Sequence, residues 1–207
     1  MNEKKIPEGM SGDAKVSWPP AELIDSFLGN FPHAFELRPG ETLEVDSEEA
    51  QAAARAFRDV LGRYCSGVTV VTTVSNGVPV GMTCQSFTSV SLDPPLVAFL
   101  PTRQSRAFQA IQRSGHFCVN FLAADQQQIS NTFASRAEDK FEGLDWTLTK
   151  GGSALLDGVV GYVDCTVQTV HEAGDHWIVV GKVVDLSVGE AVDPLLYYGG
   201  SYRTATD

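Results

Sequence analysis

Several kinds of segment are missing from this 207-residue sequence, and each absence excludes a class of function. No stretch reaches about 18 uninterrupted apolar residues, so we expect no transmembrane helix. No block of basic residues interrupts the acidic background, in which 15 Lys and Arg face 26 Asp and Glu for a formal net charge of -11. Nucleic acid and anionic membranes are therefore poor partners. The N-terminus also lacks the apolar segment of a signal peptide, and we expect a soluble cytoplasmic protein.

The sequence also lacks the glycine-rich and nucleophile motifs of several common enzyme classes. It contains no G-x-G-x-x-G, no G-x-x-x-x-G-K-S/T and no G-x-S-x-G. These patterns form the dinucleotide site of a Rossmann fold, the phosphate loop of NTPases and the nucleophile elbow of α/β-hydrolases. None of these three sites is predicted here.

Cysteine is scarce and widely spaced, which argues against disulfides and metal sites. The four cysteines form no C-x-x-C pair, so we expect buried free thiols in a reducing compartment. They are Cys65, Cys84, Cys118 and Cys165. His171 and His176 flank a loop and have no third matched ligand, so we predict no metal site.

The composition divides the chain into an extension and one folded domain. Residues 1–45 are rich in Pro, Gly and acidic side chains and carry one short apolar patch, Leu23–Phe35. We interpret them as an N-terminal extension, partly disordered or draped over the domain or a partner subunit. Residues 46–207 suit a single domain, since roughly 100–200 residues per domain is usual.

Strands outnumber helices in the predicted domain. Helical spacing of apolar residues, with Asp46 and Glu49 as a capping box, predicts a first helix at about 47–64. Two more are predicted at about 105–114 and 125–135. Strand composition marks seven further segments, with an Asn-Gly turn at Ser75–Gly77 and a hairpin loop at His171–Asp175. These strands are 68–74, 78–82, 87–92, 96–100, 116–122 and the long pair 158–170 and 176–188. Their hairpin-length connections predict an antiparallel barrel with a few packed helices rather than a doubly wound sheet.

Small hydroxyl residues are concentrated in the segment Gly81–Ser91. Thr83, Ser86, Ser89 and Ser91 can bond the polar edge of a flat heterocycle, and apolar neighbours can form the walls of a slot. A flavin ring fits this description. An ordinary Ser/Thr-rich strand pair fits the composition as well.

Two other places could carry chemistry. After Leu96–Leu100, the loop through Ser105 and Arg106 enters a helix, whose N-terminal N–H groups can bind a phosphate. Ser105 can equally be a plain N-cap, and Arg106 a solvated charge. At the predicted hairpin, His176 follows Gly174 and Asp175; a lone histidine at a turn is often structural.

Many short motifs in one order identify a family resemblance over about residues 50–203. They are GVTVVT at Gly67–Thr72, Gly81-Met82-Thr83 with Ser86-Phe87, Ser89–Leu92 before Pro94-Pro95-Leu96, Phe117-x-Val119-Asn120, Asp139-Lys140-Phe141, Gly174-Asp175-His176 with Gly181, and Pro194-Leu195 leading to Tyr198 and Gly200-x-Tyr202. In these residues the chain resembles the short-chain NAD(P)H:flavin reductases, which supply reduced flavin to two-component monooxygenases.

The resemblance implies a mainly β, antiparallel, FMN-binding split barrel that forms a homodimer with flavin near the subunit interface. It implies hydride transfer from NADH or NADPH to FMN or FAD, and a flavin-dependent monooxygenase as the partner that receives reduced flavin. The nicotinamide binds without a Rossmann domain in this family, which fits the missing glycine motif. Two alternatives remain: a split-barrel flavoprotein oxidase or dehydrogenase with its own substrate, and a non-catalytic flavin-binding protein.

The resemblance also implies roles for individual residues. Thr83, Cys84 and Ser86 meet the ring edge, with Gln85 in the same segment, and Ser89, Val90 and Ser91 line the ring and ribityl chain. Ser105 and Arg106 take the phosphate, and Phe133, Lys140 and Phe141 lie on the flavin side. His176, Tyr202 and Arg203 lie near the nicotinamide, with His176 as the catalytic candidate. Family members commonly have a second hydroxyl two places after Ser105, where this chain has Ala107, so we expect the phosphate to depend more on backbone N–H groups and Arg106.

Overall fold

The computed structural model describes residues 48–189 and 192–205. The predicted extension 1–45, its apolar patch Leu23–Phe35 and the capping residue Asp46 therefore lie outside the described residues. The division at residue 46 stays a prediction.

The described residues form three helices and twelve strands. The helices are α1 (Glu48–Leu61), α2 (Arg106–Ser114) and α3 (Gln127–Ala134). The strands are β1 (Ser66–Gly67), β2 (Thr69–Ser75), β3 (Val78–Cys84), β4 (Thr88–Leu92), β5 (Pro95–Phe99), β6 (His116–Phe121), β7 (Trp146–Leu148), β8 (Ala154–Leu156), β9 (Gly161–Ala173), β10 (His176–Val188), β11 (Leu196–Tyr198) and β12 (Ser201–Arg203). None of the described helices is long and apolar enough to cross a membrane.

Seven strands form one antiparallel sheet in the order β3-β2-β6-β9-β10-β5-β4. Its two edge strands, β3 and β4, are consecutive in sequence and are joined only by residues 85–87. Four Cα steps span at most about 15 Å, whereas the edges of a flat seven-stranded sheet lie about 29 Å apart. The sheet must therefore curl until its edges meet at this end. Because β3 and β4 are not paired with each other in this sheet, the barrel is split.

Apolar side chains pack on both faces of the curled sheet. One cluster fills the barrel, where Phe99, Phe117 and Val179 meet Phe108 and Ile111 of α2. The other lies on the outer face, under α3 and the small β7-β8 sheet. Its members include Val70, Leu122, Phe133, Phe141, Leu156 and Leu195. Strand β3 lies between α2 on one side and α3 on the other, which places both helices next to the predicted flavin segment.

Helix α1 carries an apolar face that is open in this chain. Phe57, Val60, Leu61 and Tyr64 follow the spacing of one helix face, and each is between 54% and 80% exposed. Such a continuous apolar stripe is typical of an interaction surface.

The predicted fold class is confirmed, and the predicted helices match α1, α2 and α3 to within a few residues. The Asn-Gly turn is confirmed as well: Asn76 and Gly77 both have positive φ, at 54° and 79°, as a tight two-residue hairpin requires. The predicted loop His171–Asp175 was too long. Strand β9 continues to Ala173, because Gly174 takes the left-handed conformation that turns the chain within two residues. The short strands β1, β7, β8, β11 and β12 were not predicted.

All four cysteines are free thiols, as expected. Cys84, Cys118 and Cys165 are buried. Cys65, which was expected to be buried, is exposed because it lies in the connection after α1.

Candidate functional site

Ser86 lies in the three-residue link between β3 and β4 and forms hydrogen bonds to Leu100, the residue after β5. The Ser86 Oγ accepts the N–H of Leu100 at 3.0 Å and donates to the Leu100 carbonyl at 3.2 Å. It also lies 3.1 Å from the Sγ of Cys84. Because its proton and a lone pair are used within the barrel, Ser86 shapes this end of the barrel rather than offering a free donor.

Cys84, the neighbouring residue of the predicted ring edge, is buried in the barrel cluster. Burial raises the pKa of its thiol above the ordinary value, and the hydrogen bond to Ser86 opposes this only in part. A thiol with a raised pKa stays protonated at neutral pH and is a poor nucleophile. Cys84 therefore contributes packing and a weak donor, not covalent chemistry.

The predicted phosphate site lies at the start of α2. Ser105 is buried and caps the helix: its Oγ accepts the N–H of Phe108 at 3.2 Å and donates to the Sδ of Met82 at 3.1 Å. The hydroxyl is thus committed to the helix and to β3. An anion here would meet the N–H groups of the first turn and the half-buried Arg106,. Ala107 is buried, so its side chain faces the core.

The loop before α2 runs beside the tip of the β9-β10 hairpin. Thr102 pairs with His176 in an isolated β-bridge. The N–H of Arg103 donates to the Asp175 carbonyl at 2.9 Å, and the N–H of Trp177 donates to the Pro101 carbonyl at 2.9 Å. These backbone contacts place the catalytic candidate next to the predicted phosphate loop, although about 70 residues separate them in sequence.

His176 is oriented by the residue before it. Its Nδ1 lies 2.8 Å from the Oδ1 of Asp175. That hydrogen bond holds the pKa of the Asp175 carboxyl below its ordinary value, so the carboxylate is ionised at neutral pH and can only accept. Nδ1 must then carry the proton, and Nε2 is the ring nitrogen that a ligand would meet.

On the opposite side of β3, Thr83 connects to α3 and to the C-terminal hairpin. The Thr83 Oγ1 donates to the Ser130 carbonyl at 2.6 Å. The Ser130 Oγ lies 2.9 Å from the Tyr202 Oη, which in turn donates to the Asn131 Oδ1 at 2.9 Å. Because the Thr83 proton is used, Thr83 can offer only lone pairs to a ligand, which suits a ring N–H.

Ser130 and Asn131 were not among the predicted site residues. A signal for Ser130 was present: it lies three positions before Phe133, so the predicted helix places both on one face. A small hydroxyl residue on the buried face of a helix needs a polar partner. The identity of that partner depends on the distant C-terminal hairpin.

Phe133, Lys140 and Phe141 pack behind β3. Phe133 and Phe141 are buried and meet edge to face with ring centroids 5.0 Å apart. The Lys140 Nζ donates to the carbonyl of Phe133 at 2.7 Å and to that of Gly81 at 3.5 Å. Their flavin-side role stays a prediction, and in this chain their contacts support the strand that carries Thr83.

The remaining predicted residues lie outside the hydrogen-bonded and packed groups described above. Ser89, Val90 and Ser91 lie on β4, an edge strand that pairs with β5 through an irregularity between Ser89 and Ser91. Gln85 is exposed. Arg203 lines a separate cavity of about 400 Å³ with Cys65, Leu196, Tyr198, Thr204 and Ala205.

The donor set that surrounds this end of the barrel fits a phosphorylated planar heterocycle. A helix N-terminus with Arg106 suits the phosphate, and Thr83 on β3 suits a ring N–H. The imidazole of His176 lies beside the predicted phosphate loop. The start of α2 and the β9-β10 turn meet because the β5-β10 pairing continues into the bridge between Thr102 and His176, and Thr83 lies on β3 next to Met82, which contacts Ser105. We refer to these groups together as the barrel-end site.

Comparisons with known proteins agree with this geometry. A family model described as a flavin reductase like domain matches residues 61–206. The chain is 50% identical over 163 residues to the reductase subunit HsaB of a flavin-dependent monooxygenase from Rhodococcus jostii, a match covering 77% of this chain and 84% of the relative. Among solved structures, component B of nitrilotriacetate monooxygenase from Mycobacterium thermoresistibile superposes with a TM-score of 0.73 at 51% identity, covering 74% of this chain and 87% of that one. An NADH:FAD oxidoreductase from Streptomyces globisporus, solved with NAD and FAD fragments, superposes with a TM-score of 0.68 at 34% identity, covering 79% and 96%.

Proposed function

The chain belongs to the family of flavin reductase like domains, and from this premise we propose that it transfers a hydride from NAD(P)H to FMN or FAD and supplies the reduced flavin to a partner monooxygenase. It is an NAD(P)H:flavin oxidoreductase. The observation in the structure that supports this most directly is the pairing of Thr102 with His176. That pairing places the predicted phosphate-binding helix start beside an oriented imidazole, which supports a site for phosphorylated ring substrates.

Hydride transfer requires the nicotinamide C4 roughly 3–3.5 Å from the flavin N5 with the two rings stacked. The protein's task is therefore to position two flat molecules and to stabilise the negative charge that develops on the flavin. We assign the flavin phosphate to the start of α2 and Arg106, and the ring edge to Thr83 with backbone N–H groups of Gly81–Ser91. The Nε2 of His176 faces the nicotinamide side.

We propose that the flavin behaves as a substrate that leaves after reduction. Several hydroxyls of the barrel-end site are committed to internal bonds: Ser86 to Leu100, Ser105 to Phe108, and Thr83 to Ser130. Ala107 adds no hydroxyl at the phosphate. Fewer side-chain donors mean weaker retention, which suits delivery of reduced flavin to a separate oxygenase.

We also propose that the chain works as a homodimer in the cytoplasm. Apolar side chains at the ends of β4 and β10 are exposed in the single chain, with Leu92 91% and Val188 83% exposed. Helix α1 also has an open apolar face, and large exposed apolar patches on a protein usually meet a partner. The four free thiols fit a reducing compartment,.

The experiment that tests the reaction follows the loss of reduced nicotinamide absorbance with NADH or NADPH, each combined with free FMN or FAD. We expect rapid oxidation in at least one of the four combinations, because the chain needs no further substrate. Oxidation only after addition of another organic substrate would support a flavoprotein oxidase or dehydrogenase instead. Flavin binding with no nicotinamide oxidation in any combination would support a carrier.

A truncated chain comprising residues 46–207 tests the domain division and the dimer together. We expect the truncated protein to keep its reductase rate within about twofold, because the barrel-end site lies wholly within the described residues. Light scattering should give twice the chain mass for both proteins. A monomeric mass, or loss of activity on truncation, would contradict the corresponding proposal.

A further inference from the structure

The hydrogen bonds around Ser130 form one connected path between two strands that are distant in sequence. Thr83 on β3 donates to the Ser130 carbonyl, and the Ser130 side chain contacts Tyr202 on β12 at 2.9 Å. Ser130 is fully buried. Its main chain therefore contacts the predicted flavin edge, while its side chain contacts a residue of the predicted nicotinamide side.

The direction of each bond follows from the available protons. The Tyr202 hydroxyl has one proton, which it donates to the Oδ1 of Asn131 at 2.9 Å. The Ser130 Oγ must therefore donate its own proton to a lone pair of the Tyr202 Oη. In the protein the Tyr202 hydroxyl is thus held by one donor and one acceptor from consecutive residues of α3.

Packing fixes the Tyr202 ring as well as its hydroxyl. The ring meets Tyr197 edge to face, with centroids 5.3 Å apart and planes at 80°. Tyr202 lies on β12, a three-residue strand whose one partner among the described strands is the equally short β11. The ring also packs against the outer apolar cluster, while the hydroxyl itself is held by the bonds to Ser130 and Asn131 of α3.

We propose that Ser130 is a positioning residue for the nicotinamide substrate: it holds Tyr202 in place and ties it to the strand that carries Thr83. This inference rests on the proposed function, since Tyr202 is assigned to the nicotinamide side. Ser130 itself reaches no substrate and acts through Tyr202. Its removal should weaken nicotinamide binding and leave the chemical step and the flavin edge largely unchanged, because the carbonyl that Thr83 uses remains.

The test measures the KM for reduced nicotinamide at saturating flavin in four proteins. These are the wild type, Ser130→Ala, Tyr202→Phe and the double variant. Each single variant should raise this KM about threefold to tenfold, the range of one hydrogen bond, with kcat and the flavin KM within about twofold of wild type. The double variant should equal Tyr202→Phe, because both changes remove the same bond.

Two further variants keep the test decisive. Ser135→Ala removes a hydroxyl from the exposed end of the same helix, where it bonds the Thr132 carbonyl at 2.7 Å, and should leave the nicotinamide KM unchanged. Asn131→Ala removes the acceptor of the Tyr202 proton at an exposed position, so it tests the same link even if Ser130→Ala fails to fold, and should raise the KM by a smaller factor.

The outcomes separate the inference from the function on which it rests. If the wild type oxidises no reduced nicotinamide with free flavin, the proposed function fails. If the wild type is active but the nicotinamide KM does not change in Ser130→Ala or Asn131→Ala, the inference fails. It also fails if the Ser130 and Tyr202 effects multiply in the double variant.

Discussion

The His176→Ala enzyme is expected to lose about a hundredfold in kcat/KM for reduced nicotinamide, the scale of effect when a reacting group is misplaced by about 1 Å. Among the described histidines, His176 is the one that the fold places beside the predicted phosphate loop, and Asp175 fixes its tautomer. Removing the ring leaves the backbone bridge to Thr102 in place, so the fold and the flavin KM should change little. Steady-state rates across a range of nicotinamide concentrations, with a thermal unfolding curve as a folding check, measure the effect.

His171→Ala supplies a matched control. His171 is exposed on the neighbouring strand, where it pairs with Ile178 rather than with the phosphate loop. Its replacement should change kcat/KM by less than about twofold. Asp175→Asn should show an intermediate loss of about tenfold, because an amide no longer enforces the Nδ1 proton. Wild-type rates in His176→Ala would remove His176 from the mechanism.

The second large effect concerns stability. Gly181→Ala should lower the free energy of unfolding by about 3 kcal/mol, the upper part of the range for overpacking a core. A Cβ at Gly181 would lie 2.3 Å from the Cζ of Phe117 and 3.1 Å from the Cβ of Cys165. Phe117 cannot move away easily, because it is fully buried and packs on Phe99 at 4.9 Å between ring centroids.

Chemical denaturation of the wild type and four variants tests whether overlap with Phe117 causes this loss of stability. The Phe117→Leu change alone should destabilise by about 1–2 kcal/mol through lost packing. Combined with Gly181→Ala it should cost less than the sum of the two single changes, because the shorter side chain makes room for the new methyl group. Gly67→Ala is the control, since a Cβ there meets nothing within 4 Å, and it should be close to neutral. Strict additivity at Gly181 and Phe117 would contradict the steric explanation.

Local sequence patterns predicted most of the secondary structure. Alternating apolar residues marked the strands, and the Asn-Gly pair marked the turn after β2, because these signals depend on neighbours within a few positions. The hairpin before His176 was predicted with too long a loop. The length of that loop depends on how far β9 and β10 stay paired, up to Ala173 and His176. This pairing involves two segments and is not visible in either one alone.

In the candidate site, too, the sequence predicted the elements that carry the residues but not their side-chain contacts. Local patterns placed Ser105 at a helix start and His176 at a strand start, and the structure brings these two residues to neighbouring loops. Thr83 was outside the predicted strand 78–82 but lies within β3. The sequence did not predict that the hydroxyls of Ser86 and Ser105 would form hydrogen bonds within the protein. That depends on Leu100 and Met82, which lie 14 and 23 residues away.

By itself, the sequence determined the family, the mainly antiparallel β architecture and the elements that carry the candidate residues, because periodicity and turn chemistry are local. Only the tertiary structure decided which groups meet. The three-residue link between β3 and β4 forces the sheet to curl, the pairing of β5 with β10 continues into the bridge between Thr102 and His176, and β3 contacts both α2 and α3. The contact of Ser130 with Tyr202 is likewise tertiary, since the two residues lie 72 positions apart and meet only when the C-terminal hairpin folds back onto α3.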